Sequence, residues 1–431
     1  MAWDFETDAE YQKELDWIDN FVREEVEPLD FVLGNPYDIK NPNFIELVRP
    51  LQQQVRDRKL WACHLGPELG GPGFGQVKLA LMNEILGRSR FGPITFGCQA
   101  PDTGNGEILA HYGTREHKEK FLQPLLENEM VSCYSMTEPH GGADPKVFTT
   151  RAIRVDDEWV ISGEKWFSSN ARWADFLIVM AVTNPAAPPY ERMSMFIVPM
   201  DTPGINILRN VGLGGEPGEG DHAYIRYEDV RVPAENLLGD VGQGFAVAQT
   251  RLGGGRIHHA MRTVGRVRRA FDMMCERALS RETQGESLSA KQMVQEKIAD
   301  SWMEMEQFRL LVLRTAWRID QYKDYMKVRK DIAAVKAMMP KVYHDVVARA
   351  LQIHGSLGVS NEMPFVDLLI DSFHMGLADG PTEVHKVTVA RQVLRDYSAT
   401  EELFPSRHRL TLRERAIQKY ADRIELAVGQ D

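Results

Sequence analysis

The strongest constraint on this fold is a helical repeat that returns three times between residues 264 and 353. Val264, Val267, Phe271, Met274 and Ala278 step by three and four, as one face of an α-helix requires. Val294, Ile298, Trp302, Met305, Phe308, Val312 and Ala316 follow the same period, as do Ile332, Val335, Met339, Val342, Val346, Ala350 and Ile353. The third run crosses Pro340, where a kink is expected because proline removes a backbone donor. Stripes this long must be buried against one another. Three amphipathic helices and a fourth after "ADGP" (378–381) therefore predict an antiparallel four-helix bundle over residues 241–400.

Upstream, the period changes. Residues 131–240 hold short β-branched and aromatic runs bounded by turns, "EWVISGEKWF", "FLIVMAVT", "MSMFIVPM" and "AYIRYEDVRVP", which predict a strand-rich domain. Residues 1–130 are helical in pattern, broken by "LGNPYDIKNPN" and "HLGPELGGPGFGQ". Residues 401–431 form a charged extension of mixed sign. The fold class is α+β, and 431 residues suit two or three packed units.

A net charge of −11 argues against nonspecific attraction to nucleic acid or anionic membrane, while leaving room for a local basic pocket. Cys63, Cys98, Cys133 and Cys275 form no CxxC pair and are expected as free thiols in a reducing compartment. The glycine run "GLGGEPGEG" is not a G-x-G-x-x-G fingerprint, and Walker A, HExxH and GxSxG patterns are missing. His258 and His259 are adjacent, so a helix points them about 100° apart, and no metal site is expected. Runs such as "FLIVMAV" fall short of the roughly 20 apolar residues that span a bilayer. The opening "MAWDFETDAEYQKELDWIDNF" has no signal- or transit-peptide character, and the closing "AVGQD" has no peroxisomal tripeptide. A cytoplasmic location is expected if the source is bacterial.

Two segments of the β region offer chemistry. "CYSMTEPHGGADP" (133–145) puts the Thr137 hydroxyl and unobstructed backbone N–H groups at a strand-to-turn transition, suited to a flat hydrogen-bonding ring or simply to a Gly-rich turn. "SGEKWFSSNA" (162–171) adds adjacent aromatics and serines. "ADGP" by itself reads as a turn, with Pro381 opening a helix and Glu383 placed to cap it.

Taken in order, "PELGGPG", "YGTREHKEKFLQPLLENE", "MTEPHGGAD", "GEKWFSSNA", "SRETQGESL" with Gln292, "LQIHGSLGVS" and "ADGPTEVHKVTVARQVL" resemble the flavin-dependent acyl-CoA dehydrogenases over roughly residues 10 to 398. The Gly-Pro loop and "GRIHHAM" resemble the branch containing eukaryotic members 10 and 11. The resemblance implies a helical domain, a β-barrel-like domain and a four-helix domain, assembled as a homo-oligomer, usually a tetramer. It implies FAD, an acyl-CoA substrate, fatty acid β-oxidation and an electron-transfer flavoprotein as acceptor. Tyr134, Ser135, Met136 and Thr137 would line the isoalloxazine, with Phe167, Ser168 and Ser169 beside it. Arg281 would reach the pyrophosphate across a subunit interface. Gln292, Gln352, Ile353, His354, Gly355, Ser356 and Glu383 would add contacts from the bundle. Asp379 stands where the family usually has the catalytic Glu, and a raised pKa is expected for it on burial. Gly255 stands at a second base position known in the family. Ala143 and Arg256 would flank the thioester and CoA chain. Phe167 replaces a common Trp, Gln284 a Phe, Glu383 a Gln and Pro381 a Thr. The branch suggests longer, branched or hydroxylated acyl groups. An oxidase of the same fold, such as a nitroalkane oxidase, and a DNA-binding flavoprotein are the competing functions.

Overall fold

The computed structural model describes residues 7–423; the first six residues of the opening stretch and the closing "AVGQD" lie outside them. Four helices longer than ten residues build the first domain: α1 (Ala9–Phe21), α2 (Pro42–Asp57), α3 (Gly75–Leu86) and α4 (Asp102–Tyr112). Two start at side-chain caps, Asp8 accepting from the Tyr11 N–H and Asn41 from the Asn43 N–H. The start of α3 is instead capped from a distance. Asp320 accepts from the N–H groups of Gln76 and Val77 at 2.7 and 3.0 Å, tying this domain to the bundle.

The middle domain is an eight-stranded sheet of β1 (Ser132–Ser135), β2 (Arg151–Val155), β3 (Glu158–Ser169), β4 (Phe176–Val182), β5 (Met193–Pro199), β6 (Ile205–Val211), β7 (His222–Pro233) and β8 (Leu237–Leu238). Its order is β6-β7-β3-β2-β4-β5-β8, with β1 parallel to β4. The continuous run "FLIVMAV" is explained by burial on both faces. Leu177 and Val179 join a core with Trp159 and Phe196, whereas Phe176, Ile178 and Met180 pack with Ile108, Phe121 and Val247 of the helical domains.

The last domain comprises α5 (Gly244–Ser280), α6 (Gln292–Tyr322), α7 (Tyr325–His354), α8 (Phe365–Leu377) and α9 (Thr382–Leu394), followed by an exposed α10 (Arg409–Tyr420). Helix α7 packs on α5, α6 and α9, the predicted bundle, and also on a further short helix, α8. The addition is α8, whose run "FVDLLIDSFHMGL" carries the chain to Asp379. Helices α5 and α7 run parallel: Gly253 abuts Tyr325 near their starts, and further along Arg266 and Tyr343 share Asp371. Helix α7 continues through Pro340 without interruption. Trp302 corrects the predicted stripe: it is 53% exposed, and the buried line passes through Ser301, which accepts from Arg349, then Met305 and Phe308. Among the described residues no helix is long and apolar enough to cross a membrane.

Candidate active site

Asp379 follows α8 in a left-handed conformation, φ +55°, which Asp tolerates better than most residues, and Gly380 continues at +101°. Pro381 is extended and sits at the N-cap of α9 rather than opening its first turn, and it makes no side-chain cap bond. Glu383 is exposed in the first turn. The loop is held by its backbone. The Asp379 carbonyl accepts from Arg256 Nε at 3.0 Å and from His385 Nε2 at 3.2 Å, and Thr382 Oγ1 donates to the Gly376 carbonyl. Arg256 is thus a loop anchor, not a free surface arginine.

The Asp379 carboxylate lies among basic side chains. Arg251 Nη1 is 3.9 Å from Oδ1, and His259 Nε2 is 3.7 Å from Oδ2. Lys336, 1% exposed, donates to the Met375 carbonyl at the end of α8. Burial pushes the Asp379 pKa up, but His259, Arg251, Arg256 and Lys336 oppose it and prevail, leaving it below the ordinary aspartate value. This reverses the rise expected from sequence, because desolvation was foreseeable and the surrounding cations were not. Burial, reinforced by Arg262, takes His259 down to about 3, so its ring is neutral near pH 7 and the arginines and Lys336 hold the carboxylate ionised. Burial also lowers Lys336 to about 8, against the opposing pull of Asp379.

Three consecutive glycines of α5 make room for this cluster. A Cβ at Gly253 would lie 3.0 Å from the Tyr325 ring, at Gly254 3.1 Å from Glu107 Oε2, and at Gly255 3.3 Å from Asp379 Oδ2. Each glycine costs the helix about 1 kcal/mol relative to alanine, so the run is bought by what it leaves open. Arg251 donates to Asn105 at 2.8 Å and stacks 3.9 Å from the Tyr134 ring centroid. Burial raises the Glu107 pKa to about 7, opposed by Arg251.

Tyr134 thereby meets Asp379's surroundings from the sheet side. Ser135 and Ser168 are fully buried and hydrogen-bonded to each other at 2.8 Å, with Ser135 also bonded to Tyr227, so their hydroxyls are occupied. Beyond β1, the Met136 carbonyl accepts from Lys165 and the Thr137 carbonyl from the Trp166 N–H. The N–H groups of Met136 and Thr137 and the Thr137 hydroxyl have no protein partner among the described residues. Gly142 keeps Thr137 uncovered, since a Cβ there would sit 3.2 Å from its methyl. Donors on an open, small-residue ledge fit the acceptor edge of a flavin ring. Phe167 lies in a bulge of β3 at φ +53° and stacks on His222, centroids 4.8 Å apart; Ser169 is bonded to the His222 ring at 2.9 Å. Phe167, Ser169 and His222 thus stand together where β3 meets β7.

Sequence reasoning missed His222 and the buried pair Lys165–Glu138, 2.9 Å apart. Glu138 also accepts from the N–H groups of Thr149 and Thr150, so the pair fixes the ledge from beneath. Both lie inside the quoted motifs, but a charge pair separated by 27 residues has no periodic signature.

The remaining candidates do not join this cluster. Arg281 ends α5, 26 residues beyond Gly255, or about 39 Å along the axis. Gln292, Gln352, Gly355 and Ser356 are exposed at the same distant end, with Gly355 at φ +66°. Ile353 is half-buried, and His354 turns inward, bonding the Ala350 carbonyl and packing on Phe365. Ala143 is exposed in the loop after Gly142.

The chain matches the acyl-CoA dehydrogenase N-terminal domain over residues 8–129, the middle domain over 133–230 and the C-terminal domain over 242–394. It is 41% identical to the probable acyl-CoA dehydrogenase FadE2 of Mycobacterium tuberculosis over 84% of this chain and 88% of that one. It is 38% identical to acyl-CoA dehydrogenase family member 11 of Gallus gallus over 88% of this chain, and spans about half the length of that relative, 50%. Butyryl-CoA dehydrogenase from Megasphaera elsdenii superposes with a TM-score of 0.77 at 27% identity, covering 91% of this chain and all (100%) of that one. With three domain matches in order and a relative this similar over most of its length, the chain belongs to the acyl-CoA dehydrogenase family, FAD-dependent oxidoreductases acting on CH–CH groups.

Proposed function

We propose that this protein dehydrogenates an acyl-CoA thioester between its α and β carbons, giving a trans-2-enoyl-CoA, with Asp379 taking the α-proton. The observation that carries this reading is the absence of a side chain at Gly255, 3.3 Å from Asp379 Oδ2 were a Cβ present, which leaves the carboxylate's substrate side open. A base must be deprotonated to act, and Arg251, Arg256 and Lys336 keep Asp379 so. Arg256 and His385 hold the loop that aims it. Bound FAD supplies the acceptor for the β-hydride. The N–H groups of Met136 and Thr137 would hold its ring, and Phe167 with His222 would back it. Ala143 leaves a passage for the thioester and CoA chain.

The distant group Arg281, Gln292 and Gln352–Ser356 is too far along α5 and α7 to touch the same cofactor, and so would serve FAD in a second copy. Exposed Trp302, Phe373, Leu377 and Leu394 supply apolar surface for such a homo-oligomer, a tetramer in this reading. An electron-transfer flavoprotein would reoxidise the flavin in fatty acid β-oxidation.

Asp379→Asn should retain FAD and lose anaerobic flavin bleaching by acyl-CoA altogether. Substantial bleaching by this variant would remove Asp379 from the role. Peroxide formed at the turnover rate without an added acceptor would reassign the protein as an oxidase.

A further inference from the structure

Lys165 and Glu138 each enclose a full charge, their side chains 0% and 1% exposed. Such a pair gains little over apolar residues of the same volume, because both charges lose their water. Its place behind the ledge gives it a further use.

The Lys165 ammonium donates to the Met136 carbonyl at 2.7 Å and to Glu138 Oε1 at 2.9 Å. In a trans peptide the C=O and the N–H of one unit point in opposite directions. The Met136 carbonyl and the Thr137 N–H are the two ends of one such unit. Lys165 therefore grips from behind the same peptide whose N–H stands open on the ledge, no more than about 5 Å from the Thr137 nitrogen by standard dimensions. The Thr137 carbonyl is held from the same strand, by the Trp166 N–H at 2.8 Å, so the unit is fixed at both carbonyls. A charged donor on the carbonyl end polarises a peptide and makes its N–H a stronger donor.

Glu138 offsets this field only in part. Its carboxylate also accepts from the Thr149 N–H at 2.7 Å, the Thr149 hydroxyl at 3.0 Å and the Thr150 N–H at 2.9 Å, which share its charge among three further donors. The Phe148 ring, its centroid 4.7 Å from the ammonium, covers the pair. Burial lowers Lys165 to about 8, against the opposing pull of Glu138, so it carries its proton near pH 7.

We propose that Lys165 is a positioning residue that acts through the Met136–Thr137 peptide to favour reduced over oxidised flavin, raising the reduction potential of bound FAD. A flavin that has accepted a hydride is more electron-rich at its acceptor edge, so a stronger N–H donor stabilises it more than the oxidised ring. This rests on the reading above that the Met136 and Thr137 N–H groups hold the flavin.

The test is the midpoint potential of FAD in the holoprotein, titrated with dithionite beside an indicator dye and without acyl-CoA. The potential reads affinity for reduced relative to oxidised flavin, so damage that loosens both alike leaves it in place. Lys165→Met/Glu138→Gln removes both charges and leaves no buried carboxylate unpaired. It should retain FAD and shift the equilibrium about tenfold toward the oxidised form, a fall of about 30 mV for a two-electron couple. Lys165→Gln/Glu138→Gln keeps a neutral donor for the Met136 carbonyl and should recover part of that fall. A Lys165→Met/Glu138→Gln protein with the wild-type potential, or with no FAD at all, overturns the inference and leaves the pair only building the ledge. Thr137→Pro deletes the N–H itself. If this variant too keeps the wild-type potential and FAD affinity, the placement of the flavin on the ledge fails with the inference; if it changes them while the double variant does not, the inference fails alone. A fall in potential in a protein that no acyl-CoA bleaches supports the inference and removes the dehydrogenase reading.

Discussion

The two ends of the α5–α7 pair are built on opposite principles. At the end near Gly255, Asp379, Arg251, Lys336 and Glu107 are enclosed, and their geometry is set within one chain. At the end near Arg281, the candidate contacts Gln292, Gln352 and Ser356 are exposed. The enclosed end is made for chemistry that water would spoil, since charges act strongly only where solvent is excluded. In the oligomer proposed above, the exposed end would serve assembly, where a group is useful only after a second surface arrives. In that reading one parallel helix pair would carry both tasks about 39 Å apart, at a rise of 1.5 Å per residue.

The comparison breaks most visibly at Gly255. Gly255→Val places branched carbons against Asp379 and should reduce the rate of flavin bleaching by about 100-fold, because displacing a catalytic group by an ångström has effects of that size. FAD content should stay unchanged; stopped-flow reduction beside the absorbance of bound flavin checks both. At the exposed end, Arg281→Met should loosen FAD by about tenfold through loss of a charge-assisted contact, with release growing on dilution as the oligomer separates. Gel filtration with in-line flavin absorbance follows this, and flavin loss independent of protein concentration would end the division between the two regions.

The smallest effect is on pH. With its folded pKa depressed, Asp379 stays ionised as pH falls, and its contribution to stability, present above the unfolded value near 3.9, is lost only as pH drops through the lower folded value. Bleaching rates should accordingly stay level from about pH 7 to about pH 5. Arg251→Met should move the acid limb upward by less than about one unit, because Arg256 and Lys336 remain. Glu107→Gln should leave the limb where it is, and a limb that moves with Glu107 would transfer the control of protonation to that carboxyl.

Much of this arrangement was legible beforehand. The 3.6-residue stripes required α5, α6 and α7, and the ordered motifs singled out Asp379, Thr137 and Phe167 by resemblance. What was illegible lay between segments. The opposition of Arg251, Lys336 and Asp379 joins residues far apart in the chain, and nothing local to any of them announces it. Trp302 misled because an apolar residue on a helical stripe reads as core whether its neighbour belongs to the same chain or to another. Helix α8, 13 residues long with only Phe365, Ser372 and Met375 buried, is too short to repeat a stripe like those of the three long helices. The run Gly253–Gly255, by contrast, stood in plain view as a cluster that a helix of 37 residues has no reason of its own to contain.

That run has a bearing on motion as well as space. Three glycines together remove about 3 kcal/mol of intrinsic helix propensity from a single turn. The turn of α5 that faces Asp379 is therefore kept helical by its surroundings, by Tyr325, Glu107 and the Asp379 loop, more than by its own residues. Its amide hydrogens should be the first in the interior of that helix to exchange with solvent, and a ligand filling the space above them would slow that exchange by lending the turn the contacts its sequence lacks.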